Sequence, residues 1–437
     1  MKLAKLTLAL SAVFALPAFA ADLTIGVPAG NILYISGASA VTGTVKTIVE
    51  GACDTAAGGV FASYKDDTDG KQAFVYTCSK AKSGYGFAAG SKTIVVKRDK
   101  DGSFAGVGPV VNKEALDFPD LKNCSTTACA MGGTLGAAAS VVPNAGLTDV
   151  DANIWKGLGL FTPSTTAFTT KAGFAFQGFG VAVSDNLYGA LQVKQGLSGC
   201  AGNYTSAACQ PSISKTEYAS IVAKVGDFHQ SWEPILGAAY NTEAVNLCRR
   251  VSTSGTQASS NVYFLENPCG KTTTNAGFLA PATAADSVAG KFIVTEGSST
   301  GNVKTCLSNA ATNADFAIGV ISLENLPGSS DKWHFVKLDG VSPNINKDGT
   351  ITKQKESVIN GDYNFAFEMQ ALYRNDASTV LKGFVTGVTK DLADPAKSNL
   401  LGLGQVPGLK INSDAPAQVA KVTRNGNACQ PFQHLYY

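Results

Sequence analysis

Apolar runs alternate with stretches of helical periodicity along most of this chain. The segments TGTVKTIVEG and SKTEYASIVAKV carry their apolar side chains at the spacing of amphipathic helices. Other segments have the composition of strands that run into turns: NILYISGASA, KTIVVKRDKDGS, FAFQGFGVAVS, FAIGVISL and WHFVKLDGV. Because strand and helix patterns alternate, the sequence predicts an α/β fold with largely parallel sheets. The regions 125–145 and 270–290, rich in serine, threonine and alanine, are predicted to be surface loops.

The N-terminus has the pattern of a signal peptide. Lys2 and Lys5 precede an apolar run, Leu6 to Phe19, that is too short to span a bilayer, and Ala18-Phe19-Ala20 matches a signal-peptidase site. We therefore predict a signal peptide at residues 1–20 and a mature protein that is periplasmic or secreted to the extracellular medium. No later apolar run reaches the roughly 18 residues of a membrane-spanning helix, so no membrane span is expected.

Charge and length narrow the partners and the architecture. Of 35 lysine and arginine residues, Lys2 and Lys5 leave with the signal peptide, so 33 basic side chains stand against 33 acidic ones. Nucleic acids and anionic membranes usually select a basic face, so neither is expected as the main partner. A chain of 437 residues exceeds one ordinary hydrophobic core, which predicts two domains.

Ten cysteines, all in the mature part, are typical of a protein that folds in an oxidising compartment. Proximity along the chain suggests five disulfides, although spacing alone does not fix connectivity. The suggested pairs are Cys53–Cys78, Cys124–Cys129, Cys200–Cys209, Cys248–Cys269 and Cys306–Cys429. A metal site is the weaker interpretation, because the chain has no CxxC pair and three histidines.

The segment RRVSTSGTQASSNVYFL, residues 249–265, places arginines and small hydroxyl residues before a helical pattern. A helix N-terminus has unpaired N–H groups and partial positive charge, so it favours an anion. Gly255 allows close approach of the backbone, Ser254 and Thr256 add hydroxyl donors, and Arg250 can add a bidentate, charge-assisted contact. Taken alone, the segment also fits a helix that Ser254 simply caps while the arginines are solvated.

Three further loops follow predicted strands: ISGASAVTG, DGSFAGVGPV and GLTDVDANIW. With the segment at 249–265 they resemble, in order and in local pattern, the phosphate-binding segments of the periplasmic substrate-binding proteins of phosphate ABC transporters. Those segments are GAGAT-like, GSSGG-like, SD-containing and R-x-x-x-S-G-T. In addition, QGFGVAVSDN resembles the family's strand that crosses to the second domain, and INGDYNFAFEMQALY resembles the strand that returns.

The resemblance implies a type 2 periplasmic-binding-protein fold, in which two α/β lobes with mixed, largely parallel sheets are joined by a two-strand hinge. It implies a discontinuous first lobe at residues 21–178 and 365–437 and a second lobe at 179–364. Inorganic phosphate or a similar oxyanion would bind between the lobes of a monomer, without a cofactor or covalent chemistry, for delivery to an ABC transporter membrane complex. The implied ligand-binding residues are Gly37, Ala38, Ser39, Ala40, Ser103, Asp149, Arg250, Ser254, Gly255 and Thr256.

Two departures from the family's pattern bear on the ligand more than on the fold. Val41 stands where the family usually has a ligand-contacting threonine, and Thr42 follows one place later. The second loop reads Gly-Ser-Phe-Ala-Gly, so Phe104 replaces the serine that would follow Ser103.

Asp149 is an unexpected neighbour for an anion, and its chemistry suggests how the site would discriminate. A carboxylate can accept the proton of monohydrogen phosphate, whereas sulfate offers no proton and meets lone-pair and charge repulsion. The alternative is that Asp149 belongs to a turn or a helix cap. Asp151, two residues later, is the expected cap.

Two other functions stay open at this stage. A secreted protein could use the same fold for scavenging or surface attachment without transporter delivery, an alternative suggested by the hydroxyl-rich loops and the aromatic C-terminus PFQHLYY. The second is a serine hydrolase, because GSSTG at 297–301 matches G-x-S-x-G, with Ser299 as formal nucleophile and Asp331 and His334 following in hydrolase order. Glycine- and serine-rich loops are so frequent here that a chance match is expected, and we predict that the protein is not an enzyme.

Overall fold

The computed structural model describes residues 21–162, 168–224, 230–270, 278–351, 356–394 and 420–435. The predicted signal peptide lies outside these described residues. The helices are α1 (Thr42–Gly51), α2 (Gly108–Asn112), α3 (Ala152–Gly157), α4 (Asp185–Lys194), α5 (Lys215–Val222), α6 (Glu233–Leu236), α7 (Gly255–Leu265), α8 (Thr300–Thr312), α9 (Glu356–Asn360) and α10 (Thr379–Ala393). The strands are β1 (Ile32–Gly37), β2 (Phe61–Asp66), β3 (Ala73–Cys78), β4 (Thr93–Arg98), β5 (Leu116–Phe118), β6 (Asp120–Cys124), β7 (Ala128–Ala130), β8 (Ala139–Val141), β9 (Ala145–Thr148), β10 (Phe168–Ser184), β11 (Ser212–Ile213), β12 (Val245–Arg250), β13 (Phe292–Gly297), β14 (Phe316–Ser322), β15 (Trp333–Phe335), β16 (Lys337–Leu338), β17 (Ala366–Arg374), β18 (Val422–Thr423) and β19 (Gln433–His434).

The helices and strands form where the apolar pattern requires them. α1 buries Val45, Ile48 and Val49, which share one helical face, against the core. β4 is buried along its whole length, as expected for an internal strand that is covered on both faces. The loop prediction for 125–145 was wrong in part, because β7 and β8 lie there and β7 pairs with β2 and β6.

Thirteen of the described strands form one mixed sheet in the order β13-β12-β14-β10-β17-β9-β1-β4-β3-β2-β7-β6, with β15 paired to β10. β1 runs parallel to β4 and β9, and β12 runs parallel to β13 and β14. The carboxyl ends of parallel strands meet at one edge of a sheet, so the loops after β1, β4 and β9 gather together, as do those after β12, β13 and β14.

The strand β10 belongs to both halves of this sheet. Its residues up to Gly178 pair with β17, and from Phe179 onward it pairs with β14. The second connection leads into β17, where Phe365 accepts a backbone hydrogen bond of 3.0 Å from Phe179. The predicted α/β fold with two lobes, a mixed sheet and two connecting strands is confirmed. No helix of the described ranges is long and apolar enough to cross a membrane.

All ten cysteines are paired in disulfides. The predicted pairs Cys53–Cys78, Cys124–Cys129 and Cys200–Cys209 are confirmed. The other two predictions were wrong, because Cys248 pairs with Cys306 and Cys269 pairs with Cys429. Cys248 lies in β12, on which α8 packs with Cys306, whereas Cys269 follows α7 and meets the C-terminal segment. These partners are 58 and 160 residues apart, so the tertiary fold decides the pairing where proximity in sequence cannot.

Candidate ligand-binding site

The four predicted loops meet at one place between the two lobes. A Cβ at Gly37, the last residue of β1, would lie 2.0 Å from the Leu147 carbonyl oxygen of β9 and 2.9 Å from Gly106 Cα. The turn at Gly102–Gly106, after β4, reaches the other lobe, where the Phe104 N–H donates to the Thr253 carbonyl at 3.1 Å. The fold therefore brings together the segments that the sequence singled out.

The first loop contributes fewer donors than its sequence predicts. The Ala38 N–H donates to the Leu147 carbonyl at 2.8 Å, and the Gly37 carbonyl accepts from Lys97 Nζ at 2.9 Å. Gly37 and Ala38 thus hold the loop against β9 and β4. Ser39 is exposed and Ala40 is half-buried at the start of a 3₁₀ turn, whose first N–H groups have no acceptor within the turn.

Ser103 and Asp149 lie directly against Gly255 of the other lobe. The Ser103 hydroxyl donates to Asp149 Oδ2 at 2.9 Å, and both side chains are buried. A Cβ at Gly255 would lie 2.3 Å from Asp149 Oδ2 and 2.4 Å from Ser103 Oγ. Only glycine fits at this position while the lobes are together.

The start of α7 is buried and uncapped. Ser254 occupies the N-cap position, but its side chain makes no capping hydrogen bond, and every residue of α7 is buried. The Ala258 N–H reaches the Ser254 carbonyl, whereas the N–H groups of Gly255, Thr256 and Gln257 belong to the turn that lacks helical acceptors. Buried donors without acceptors cost free energy, and an anion at this helix start would satisfy them.

Arg250 and Arg249 are successive residues of β12, so they point to opposite faces. The Arg250 guanidinium donates to the carbonyls of Gly297 and Ser298 and to the Thr300 hydroxyl, at 3.2, 2.9 and 3.0 Å. Burial lowers its pKa to about 10, while the charges of Asp149 and Glu324 oppose this shift, so Arg250 stays a cation at neutral pH. Arg249 instead donates to the Ala282 carbonyl.

The pKa of the Asp149 carboxyl is shifted far from its ordinary value. Burial raises its pKa to about 6, and the Ser103 hydrogen bond opposes the rise. The charge of Glu324 raises this pKa further, whereas Arg250 and Lys97 lower it. Its second oxygen, Oδ1, is buried without a hydrogen-bond partner among the described residues. Asp151, as predicted, caps the following helix by accepting from the Asn153 N–H at 2.9 Å.

The raised pKa of Asp149 predicts a pH-dependent stability of the ligand-free protein. The folded state favours the protonated carboxyl, so its contribution is complete below the ordinary pKa of 3.8 and is lost as pH rises through about 6. Relative to Asp149→Asn, the wild type should lose about 2 kcal/mol of unfolding free energy between pH 4 and pH 7. Urea unfolding at pH 4, 5, 6 and 7 in phosphate-free buffer measures this difference. A difference that stays constant over these values would contradict the raised pKa.

Sequence reasoning missed two groups beside the site. Lys97 is fully buried and its ammonium lies 2.6 Å from Asp99, which also accepts from the Thr42 hydroxyl at 2.7 Å. Thr42, one place after the family's threonine position, is therefore engaged by Asp99. The signal for this pair was the charged end of the strand KTIVVKRDKDGS. Glu324 accepts from the Gln177 amide at 2.9 Å. Gln177 begins the segment QGFGVAVSDN, but that segment predicted a crossing strand and gave its side chain no role.

The hydrolase alternative finds no support in the contacts of its three residues. Ser299 caps α8, where its hydroxyl accepts from the Asn302 N–H at 3.2 Å. His334 lies 3.2 Å from Asp185 and stacks on Tyr204. Asp331 accepts from the Gly328 N–H at 2.8 Å. In the part of the chain that the structure describes, no hydrogen bond joins these three side chains to one another.

No protein-family model and no curated protein matches this chain. Among solved structures, it is similar to an ABC-type phosphate transport receptor from Vibrio cholerae, at 14% identity over 86% of this chain and 100% of that chain, with a TM-score of 0.43. A structure from Clostridium perfringens with bound phosphate, described as a phosphate ABC transporter substrate-binding protein, matches at 14% identity over the same shares, with a TM-score of 0.42. The periplasmic molybdate-binding protein of Azotobacter vinelandii matches at 12% identity over 86% of this chain and 99% of that chain, with a TM-score of 0.30.

Proposed function

We propose that this chain is an exported solute-binding protein that captures phosphate, or a similar oxyanion that carries a proton, between its two lobes. The observation that carries the proposal is the buried, unpartnered Oδ1 of Asp149 beside the buried, uncapped start of α7. The helix start supplies donors for an anion, and Asp149 supplies an acceptor for a proton on that anion.

The balance of donors and charge suits reversible capture. A dehydrated oxyanion needs many hydrogen-bond donors and little fixed charge, because excess charge would hinder release. Ser39, Ala40, Gly255 and Thr256 are the proposed backbone donors, and Ser254 and Thr256 add hydroxyls. Arg250 has five N–H groups, of which three donate to the 297–300 loop, so its charge and remaining donors can serve the ligand.

Closure of the lobes is part of the proposal. The first lobe would comprise residues 21–178 and 365–437, and the second lobe residues 179–364. The contacts of Ser103 and Asp149 with Gly255 then join the two lobes, and a ligand that touches both sides favours the closed state. Binding would use rigid lobes that rotate about β10 and the segment before β17.

Export and delivery complete the proposal. Five disulfides among the described residues support folding in an oxidising compartment, in the periplasm or outside the cell. A monomer that delivers its anion to an ABC transporter membrane complex is the role we propose. No covalent chemistry is required of any residue in the site.

Isothermal titration with phosphate and sulfate tests this function. The mature wild type should bind phosphate, and Arg250→Ala should weaken binding about tenfold to a hundredfold, because it removes a charged donor worth about 1.5–3 kcal/mol. Arg249→Ala is the matched control, since it deletes a neighbouring buried arginine that points to the other face. The proposal fails if the wild type binds neither anion. An equal loss of phosphate affinity in both arginine variants would contradict a specific role for Arg250.

A further inference from the structure

A second carboxylate, that of Glu324, lies at the same edge of the second lobe as Arg250. β14 runs parallel to β12 with Gly319 opposite Cys248, so Arg250 and the residues after β14 emerge at one edge. The charge of Glu324 acts on both Arg250 and Asp149. A second carboxylate beside a proposed anion site would repel the anion, so its presence there requires a physical explanation.

Gln177 fixes the orientation of this carboxylate. Its side chain is completely buried in β10, next to the point where β10 leaves β17 for β14. The Gln177 amide nitrogen donates to Glu324 Oε2 and to the Gly178 carbonyl, both at 2.9 Å, and the Ser322 hydroxyl donates to Glu324 Oε1 at 2.5 Å. The Gln177 amide oxygen is buried without a hydrogen-bond partner among the described residues.

Buried acceptors on β10 and directly after β9 are left without donors in the part of the chain that the structure describes. Asp149 Oδ1 and Gln177 Oε1 are both buried and unpartnered in the described chain, and Glu324 retains lone pairs that Gln177 and Ser322 do not occupy. Buried acceptors without donors are costly, so the ligand that fits must bring hydrogens as well as negative charge.

The fixed charges favour a ligand of low charge. Lys97 and Asp99 neutralise each other at 2.6 Å, which leaves Arg250 opposite the two carboxylates of Asp149 and Glu324. With both acids ionised, these groups carry one net negative charge before any anion enters. Each further negative charge on the ligand therefore meets repulsion in a medium that screens it poorly.

We propose that Glu324 and Gln177 form a second acceptor subsite which, together with Asp149, selects the singly charged dihydrogen form of phosphate. Dihydrogen phosphate has two O–H donors, one for Asp149 and one for the subsite of Glu324 and Gln177. Monohydrogen phosphate has a single donor and an extra charge, and sulfate has no donor. This inference rests on the proposed function and specifies which ionic form that site captures.

The pH dependence of phosphate affinity tests the subsite. In wild type, the affinity for total phosphate should fall about tenfold per pH unit once pH exceeds the second ionisation of phosphate, because the bound form becomes scarce. Glu324→Gln replaces an acceptor by a group that can also donate, so the variant should accept the doubly charged form. We expect the ratio of its phosphate affinity at pH 8.5 to that at pH 6.5 to exceed the wild-type ratio at least about tenfold. The other charged groups at the site, Asp149, Arg250 and Lys97, are the same in wild type and in Glu324→Gln. A difference between the two pH profiles therefore reports on Glu324.

Glu296→Gln is the control for bulk charge, because Glu296 ends β13 at the same edge but lies 3.7 Å from Arg249 on the other face. It should leave the pH profile as in wild type. The subsite is excluded if Glu324→Gln has the wild-type profile, or if Glu296→Gln gives the same gain at pH 8.5. A wild type that binds no phosphate at any pH would instead overturn the proposed function itself.

Discussion

Asp149→Asn should abolish the preference for phosphate over sulfate. In the proposed site, the buried Oδ1 would accept a proton from phosphate and would repel sulfate, and sites built on such a hydrogen bond reject the analogue that lacks it by about 10⁴-fold. An asparagine amide has the same shape, and it can donate to either anion. We therefore expect phosphate binding to weaken, sulfate binding to appear, and the two affinities to come within about tenfold of each other. Isothermal titration with each anion at pH 7 measures the ratio.

Asp151→Asn is the matched control for this prediction. Asp151 is also buried, but its carboxylate caps α3 and has no proposed contact with the anion. The control is expected to lower stability slightly while the phosphate-to-sulfate ratio stays as in wild type. A wild-type ratio in Asp149→Asn, or a lost preference in Asp151→Asn, would show that discrimination arises elsewhere.

Gly255→Val should remove phosphate binding while leaving the lobes folded. A Cβ at this position would overlap Asp149 Oδ2 at 2.3 Å and Ser103 Oγ at 2.4 Å, so the lobes could not come together. Overpacking of this kind, with the loss of the donors at the start of α7, should lower affinity by about 10³-fold or more. The overlap should separate the lobes without disrupting the core of either one, so ligand-free Gly255→Val should stay folded. Titration calorimetry, thermal unfolding and small-angle scattering with and without phosphate measure these effects.

Gly301→Val provides the comparison for Gly255→Val. Gly301 also lies in the first turn of a helix, α8, but a Cβ there would be 3.5 Å from Ser299 Oγ, which is an ordinary contact. This control should bind phosphate as wild type does. If Gly255→Val binds phosphate normally, the contact between Gly255 and Asp149 is not the closed arrangement that the ligand requires.

Local patterns predicted what depends on local structure. The strand and helix at 32–51, the cap at Asp151 and the start of α7 at Gly255 follow from periodicity and from the residues that precede each helix. The roles of individual groups were harder to predict. Ala38 carries the expected small side chain, yet its N–H is used by Leu147 of a strand more than one hundred residues away.

Long-range pairings account for the remaining errors and omissions. The partners of Cys248 and Cys269 depend on which helix packs on which strand. The spacing of the cysteines along the chain does not predict that packing. Glu324 and Gln177 are 147 residues apart, and each looks ordinary in its own segment. Their proximity follows from the pairing of β10 with β14, which neither segment reveals on its own.

The disulfide between Cys269 and Cys429 has a consequence for the effect of a proteolytic cut. It closes a covalent ring over a sequence separation of 160 residues, and that ring contains Glu324, β14 and β17. A protease that cuts one peptide bond inside the ring leaves both pieces attached, whereas the same cut in an open chain would release the C-terminal piece. If the chain is exported as proposed, one cut by a secreted protease inside the ring would leave every strand that carries the proposed binding residues covalently attached.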